Sequence, residues 1–316
     1  MIRPLDRRAV LSSLGSLSLA GCSRRPPGPK PKVSIIRLAA YNQSVYEAVR
    51  RVLAAHKLDV RGKRVVLKPN LVEFDASTPI NTHPIVVHAA FDAFLAMGAA
   101  EVRIAEGPGH RRDTLDMAEA AGYFSTVPGF ERRFTDLNLD EVSRIRLVHP
   151  ASKLDSLYLP NTALGADLLV SIPKMKTHHW AAATLAMKNL FGVVPGAVYG
   201  WPKNVLHWAG INESIADLHR AFPRKFAIVD GIVGMEGNGP IQGRAKSAGV
   251  IVAGEDVAAV DATCCRIMGI DPVKVSYLQI AAGDRLAESD VAQIGESLAS
   301  ARTRFDLIPE FASVRL

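Results

Sequence analysis

The chain lacks most of the signatures that announce a reaction. It has three cysteines in 316 residues, with no Cys-x-x-Cys and no ferredoxin-type run. It therefore has no means of holding a cysteine-ligated iron–sulfur cluster by itself. Gly-x-Ser-x-Gly is missing, and Ser171, Thr177 and Thr184 have no identifiable base beside them. Neither a P-loop nor the three-glycine dinucleotide fingerprint is present. No His-x-x-x-His and no carboxylate-rich loop marks a metal site, although a divalent metal is compatible with the residues present. Two of the three cysteines, Cys264 and Cys265, are adjacent in a predicted helix, about 100° apart, so a bridge between them would be strained. They read as small buried hydrophobes.

A basic surplus is also missing from most of the chain. The formal charge is +7, but Arg3, Arg7, Arg8, Arg24, Arg25, Lys30 and Lys32 oppose only Asp6 within the first 32 residues. The body is nearly neutral and offers no cationic face for a phosphate backbone, which excludes nucleic acid as the expected partner. The cationic start reads as an address instead. Asp6-Arg7-Arg8-Ala9-Val10-Leu11 resembles a twin-arginine export motif, followed by a mildly apolar stretch from Ala9 to Ala20 that is too short to span a bilayer. Leu19-Ala20-Gly21-Cys22 looks like a bacterial lipobox with Cys22 as the lipidated residue. We expect an export signal over 1–21 and, over 22–32, a lipidated Cys22 with a linker rich in Pro, Arg and Lys. The expected product is a periplasmic or cell-envelope lipoprotein, handled by the twin-arginine machinery and touching the membrane through its anchor only.

From residue 33 apolar runs alternate with helical patterns. Strands are expected at 33–38, 64–67, 101–105, 164–172, 226–229 and 250–252. Helices are expected at 44–56, from Pro84 to a cap at Gly98, from Asp113 or Thr114 to about Gly122, and at 181–190, 211–221 and 256–268. This order predicts an α/β fold with a mostly parallel sheet, helices on both faces, and right-handed crossovers. Residues 123–163 break the rhythm and read as a small inserted subdomain. The α/β domain is expected over 33–283, with 284–316 a peripheral tail.

Several segments together resemble the family catalogued as domain of unknown function 362. They are Lys68-Pro69-Asn70, Thr82-His83-Pro84, the unit from Gly98-Ala99 to Glu106-Gly107-Pro108-Gly109, Pro173-Lys174-Met175-Lys176-Thr177-His178, Lys188-Asn189-Leu190-Phe191-Gly192, Asp230-Gly231 to Met235-Glu236-Gly237-Asn238-Gly239-Pro240, and Asp256 to Gly269. The family's reaction is not established. Some relatives carry a ferredoxin-like segment, which implies a redox-associated role for the wider family; this chain lacks those cysteines.

The candidate site comes from one recurring layout, an apolar strand followed by polar residues where it ends. In a parallel sheet such ends share one edge. Lys68 and Asn70 follow one strand and Glu106 the next, Lys174 and Lys176 follow the strand at 168–172, and Asp230 follows 226–229. Lys68, Lys174, Lys176 and Lys188 are expected to hold negative charge, with Asn70 and Asn189 beside them and Glu236 projected from a glycine-rich turn over Gly234 to Pro240. His178 is the expected acid or base. Asp261 falls inside the apolar stripe of its helix, about 40° from Val257. An inward carboxylate is costly unless paired, hydrogen-bonded or metal-bound, so Asp261 is a catalytic candidate with Lys176 and His178. The expected function is binding of a small anionic ligand, with chemistry on it. The alternative is a non-catalytic binding or assembly lipoprotein.

Overall fold

The computed structural model describes residues 29–316, and Arg7, Arg8 and Cys22 lie outside them. From Pro31 to Leu316 the chain forms one compact unit. Its strands are β1 (Lys32–Arg37), β2 (Arg64–Pro69), β3 (Glu101–Glu106), β4 (Phe134–Asp136), β5 (Val142–Arg146), β6 (Ser156–Pro160), β7 (Leu168–Ile172), β8 (Lys174–His178), β9 (Ala182–Thr184), β10 (Lys225–Asn238), β11 (Gln242–Lys246), β12 (Val250–Gly254) and β13 (Ala292–Gly295). The main sheet runs in the order β13-β1-β12-β10-β7-β2-β3-β4. All neighbouring pairs along it are parallel except the two made by β12. The fold is α/β, a mostly parallel mixed sheet with helices.

Strand alternation builds two cores. Val65 and Leu67 of β2, Val170 and Ile172 of β7, and Phe226 and Ile228 of β10 face one way, toward helices Ser44–His56 and Pro84–Ala96. Val66, Leu169, Ala227 and Val229 face the other way, toward helices Ile211–Ala221 and Val257–Met268. Strands buried on both faces read as continuous apolar runs, which is why β2, β7 and β12 are plain in the sequence. The helix starts follow their caps: Asp113 accepts from the backbone N–H of Leu115 and Asp116, and Asp256 accepts from Ala259.

Three segments differ from the sequence reading. The chain does not leave the sheet after Pro173. It resumes as β8, because Pro173 lacks an N–H but its carbonyl accepts from Asp230 N, and Lys174 then pairs across to Asp230 of β10. Residues 181–190 are not one helix: they form β9, antiparallel to β8, and a single turn, Ala186–Asn189. The Gly-rich segment 234–238 is no turn but the far half of β10, hydrogen-bonded to β11.

The expected insertion is only partly separate. β4 extends the main sheet beside β3, while β5 and β6 form their own ribbon. Residues 284–316 are not a peripheral tail, since β13 pairs with β1 and Leu298, Ala301 and Phe305 are buried.

One polar cluster ties the loop before the first helix to the sheet. Lys174 Nζ donates to Asp230 Oδ2 at 2.6 Å and to the Tyr41 hydroxyl at 2.9 Å, and Tyr41 donates to Asp230 Oδ1 at 2.9 Å. The backbone N–H of His83 also donates to Asp230, and the His83 ring stacks on Tyr41 at 3.8 Å. Both charges are fully buried, so removing one strands the other. We expect Lys174→Met to lower stability by about 3–5 kcal/mol, read as a lower urea midpoint at unchanged slope.

Candidate functional site

Beyond the carboxyl ends of β2 and β3 lies a cavity of about 190 Å³. Lys68, Asn70, Glu106, Lys176, His178, Lys188, Asn189 and Lys203 line it, together with His179, Trp180, Phe191 and His207. Parallel strands end along one edge, which brings Lys68, Asn70 and Glu106 together; Lys203, 135 positions from Lys68, reaches the same cavity from a loop.

The floor is an ion pair. Lys68 Nζ donates to Glu106 Oε2 at 2.6 Å, to Asn189 Oδ1 at 3.1 Å and to the Pro69 carbonyl at 2.8 Å. Glu106 also accepts from the backbone N–H of Leu71 and Gly107. Asn189 completes the lattice by donating to the Lys68 carbonyl and Ser171 Oγ, both at 3.0 Å. Gly192 crosses directly above this pair, and a Cβ there would overlap Glu106 Oε1 and Lys68 Nζ.

The other lysines are not neutralised by carboxylates. Lys176 Nζ donates to the Ile80 carbonyl at 2.8 Å and the Pro240 carbonyl at 3.2 Å. Burial, reinforced by the charges of Lys174 and Lys188, pushes its pKa well below the usual lysine range. Lys203 Nζ donates to the carbonyls of Gly107 (2.8 Å) and Val194 and to Asn138 Oδ1 (3.3 Å), and burial lowers its pKa to about 7. Among the described residues Lys188 Nζ has no hydrogen-bond or ion-pair partner; it lies 4.0 Å from the centre of the Phe191 ring. Burial, helped by Lys68, lowers its pKa to about 7 as well.

The imidazoles differ in what they offer. His178 Nδ1 accepts from the backbone N–H of Trp180 at 3.0 Å and Ala181 at 3.3 Å, which assigns its proton to Nε2. Burial and then the charge of Lys188 hold its pKa well below the ordinary value, so it is neutral near pH 7. His179 Nδ1 is 2.8 Å from the Gly239 carbonyl and His207 Nδ1 is 3.1 Å from that of Lys203, so each Nδ1 carries a proton and donates. Burial and Lys188 lower His207 to about 4. Trp180, half exposed, packs edge-on against both rings at the rim.

Of the expected site residues, the fold gathers Lys68, Asn70, Lys176, His178, Lys188 and Asn189 around this cavity. Lys174 does not line it, being held by Asp230 and Tyr41. Glu236 does not line it either: it accepts from Arg244 at 3.0 Å, Lys246 at 3.2 Å and the Asp306 backbone at 2.9 Å. Asp261 is corrected from catalyst to scaffold. Its two oxygens accept the backbone N–H groups of Ala186 (2.8 Å) and Met187 (2.9 Å), which anchors the turn that carries Lys188 and Asn189. Burial raises its pKa to about 7 despite those two bonds.

Lys203, His207 and Trp180 were not singled out in the sequence. Lys203 and His207 belong to a loop and a five-residue helix, Asn204–Trp208, with no strand before them to mark a strand end. Glu106 was visible as a strand-end carboxylate, but its pairing with Lys68 was not. Cys264 and Cys265 are free and buried and do not line the cavity. Among the described residues no group of three His, Cys, Asp or Glu side chains is arranged to hold a metal ion, and no helix is long and apolar enough to cross a membrane.

Residues 65–266, which contain every lysine of the cavity, match the profile of the family described as Domain of unknown function (DUF362). The chain belongs to the DUF362 family. It is similar to a thylakoid-associated protein of Synechocystis sp., with 29% identity over 240 residues, covering 73% of this chain and 70% of that protein. Among solved structures it resembles the lactate racemase apoprotein from Thermoanaerobacterium thermosaccharolyticum, with a TM-score of 0.48, 15% identity and 75% of this chain covered. A Thermotoga maritima protein gives 0.40, 13% and 72%. The chain spans 57% and 59% of those two structures. Both TM-scores fall below 0.5, and neither likeness speaks to activity.

Gly192 is the residue on which the floor of the site is most exposed to a small change. Gly192→Ala should cost about 3 kcal/mol, the upper end for overpacking, because the added methyl meets a buried ion pair rather than a pliant side chain. A thermal melt of the variant beside wild type measures it.

Proposed function

We propose that the DUF362 cavity of this chain binds a small anionic ligand and acts on it, in a protein exported to the cell envelope and held there by a lipid on Cys22. One observation carries the binding: four lysines line a single cavity in which Glu106 is the sole carboxylate among the lining residues. Lys176 and Lys203 are oriented by carbonyls, which aim an ammonium group without cancelling its charge. A ligand carrying one or more carboxylate or phosphate groups would supply the missing negative charge.

His178 is the proposed acid–base group, as the buried imidazole whose Nε2 carries a proton while Nδ1 is fixed by two backbone donors. A non-catalytic binder is the second reading, favoured by the same carbonyl bonds on Lys176 and Lys203, which describe a rigid receptor as well as they describe an enzyme.

The lysines give the binding a pH signature. In the empty cavity Lys188 and Lys203 titrate near 7, below their ordinary range. A bound anion favours their charged forms and raises both values, so at pH 8 binding must take up protons. Affinity for the anion should then fall as pH rises above about 7, by up to tenfold per pH unit for each proton taken up. Calorimetric titration of citrate, malonate and inorganic phosphate in two buffers of different ionisation enthalpy measures the uptake. Binding with no proton exchange, and equally strong in Lys176→Met, would remove the basis for this reading.

The anchor is tested separately. Cys22→Ala should abolish incorporation of labelled palmitate and move the protein out of the membrane fraction. Replacing Arg7 and Arg8 together by Lys should leave unprocessed precursor inside the cell.

A further inference from the structure

Lys188 differs from its neighbours in having no acceptor of its own among the described residues. Lys68 is paired with Glu106, and Lys176 and Lys203 are each held by at least two acceptors. Lys188 has only the face of Phe191 beneath it, on a cavity wall. Its backbone does not share that freedom. The turn Ala186–Asn189 is clamped at its start by both oxygens of Asp261, and Asn189, the next residue, is locked to Lys68 and Ser171. The geometry is thus a rigid mount carrying an unpartnered primary amine, with two buried, carbonyl-held lysines, Lys176 and Lys203, lining the same cavity beside it.

We propose that Lys188 forms an imine with the carbonyl group of an oxo-carboxylate bound in this cavity, so that the ligand is an anion carrying an aldehyde or ketone. This rests on the anion-binding reading above and names the class of ligand within it. In the step, the amine nitrogen attacks the carbonyl carbon and a carbon–nitrogen bond forms. Both amine protons leave with the carbonyl oxygen as water, and nothing is oxidised or reduced. The neutral amine is the nucleophile. Burial makes that form available here near pH 7, in keeping with the site but secondary to its geometry.

The test treats the full chain with pyruvate, 2-oxoglutarate or oxaloacetate in the presence of sodium borohydride, which reduces any imine to a stable secondary amine. Intact mass and peptide mapping then locate the adduct. We expect one adduct on the peptide containing Lys188 for at least one of the three probes. It should be suppressed at least tenfold by excess citrate or malonate and absent from Lys188→Met and Lys188→Arg. Both variants should keep the circular dichroism spectrum of wild type. Adducts scattered over surface lysines, or none on Lys188 with any probe, overturn the proposal. If wild type nonetheless binds citrate, malonate or phosphate with proton uptake, only the imine fails. If it binds none of them, the anion-binding reading fails with it.

Discussion

The site depends on one buried ion pair. Lys68 comes from β2, Glu106 from β3, and Asn189, which bridges to Lys68, from the turn after β9. Neither charge has appreciable contact with water, so each needs the other and every remaining lone pair must be used. The structure meets that demand with the backbone N–H groups of Leu71 and Gly107 on Glu106 and the Pro69 carbonyl on Lys68. The same demand forces small residues nearby. Gly107 donates to the Gly192 carbonyl at 2.9 Å; a Cβ on Gly192 would overlap the pair itself, and one on Gly107 would crowd the Gly192 carbonyl and Asn138 Oδ1. A cavity floor of fixed shape follows from satisfying those two charges.

Two lysines two residues apart show what decides between scaffold and site. Lys174 and Lys176 lie on β8 with Met175 between them, so both side chains leave the strand on the same side. Lys174 has Asp230 directly across the ladder and is neutralised. The residue across from Lys176 on β10 is Met235, and its ammonium group turns to the carbonyls of Ile80 and Pro240. Sequence position treats the two alike. The cross-strand register separates them, and register is fixed by pairing between β8 and a strand more than fifty residues away.

That limit explains what could be read from the sequence alone. Buried strands and capped helices depend on local pattern, so β2, β3, β7, β10, β12 and the helices beginning at Pro84, Thr114 and Val257 were legible, and with them the parallel sheet. The convergence of Lys68, Asn70 and Glu106 follows from the rule that strand ends share an edge; Lys176 and His178 reach the same cavity from β8, and Lys188 and Asn189 from the turn anchored by Asp261. Partners were not legible. Asp261 was correctly placed on an inward face, but what an inward carboxylate touches is a tertiary fact, and it touches two N–H groups. Glu236 looked like a carboxylate projected from a glycine-rich turn. It lies on a strand facing Arg244 of β11, its direct partner in the ladder. Lys203 and His207 belong to an irregular stretch whose position is set by packing, and no periodicity marks them.

The arrangement of the remaining lysines bears on how binding could lead to chemistry. An amine held by carbonyl oxygens keeps its direction, so a ligand meets it already aimed and little ordering remains to be done on binding. Lys176 and Lys203 are in that condition. Burying them without a counter-charge is unfavourable for the empty protein, which is why their pKa values fall, and an anion relieves that cost only where both can reach it. Lys188 shares the field but not the bonds. When an anion is drawn to its neighbours, the group next to it is an amine that needs to break no hydrogen bond within the protein in order to move. On the proposed reading, recognition and reaction would be divided among like residues by one local difference, whether the amine has acceptors of its own. In this cavity Lys188 alone has none among the described residues.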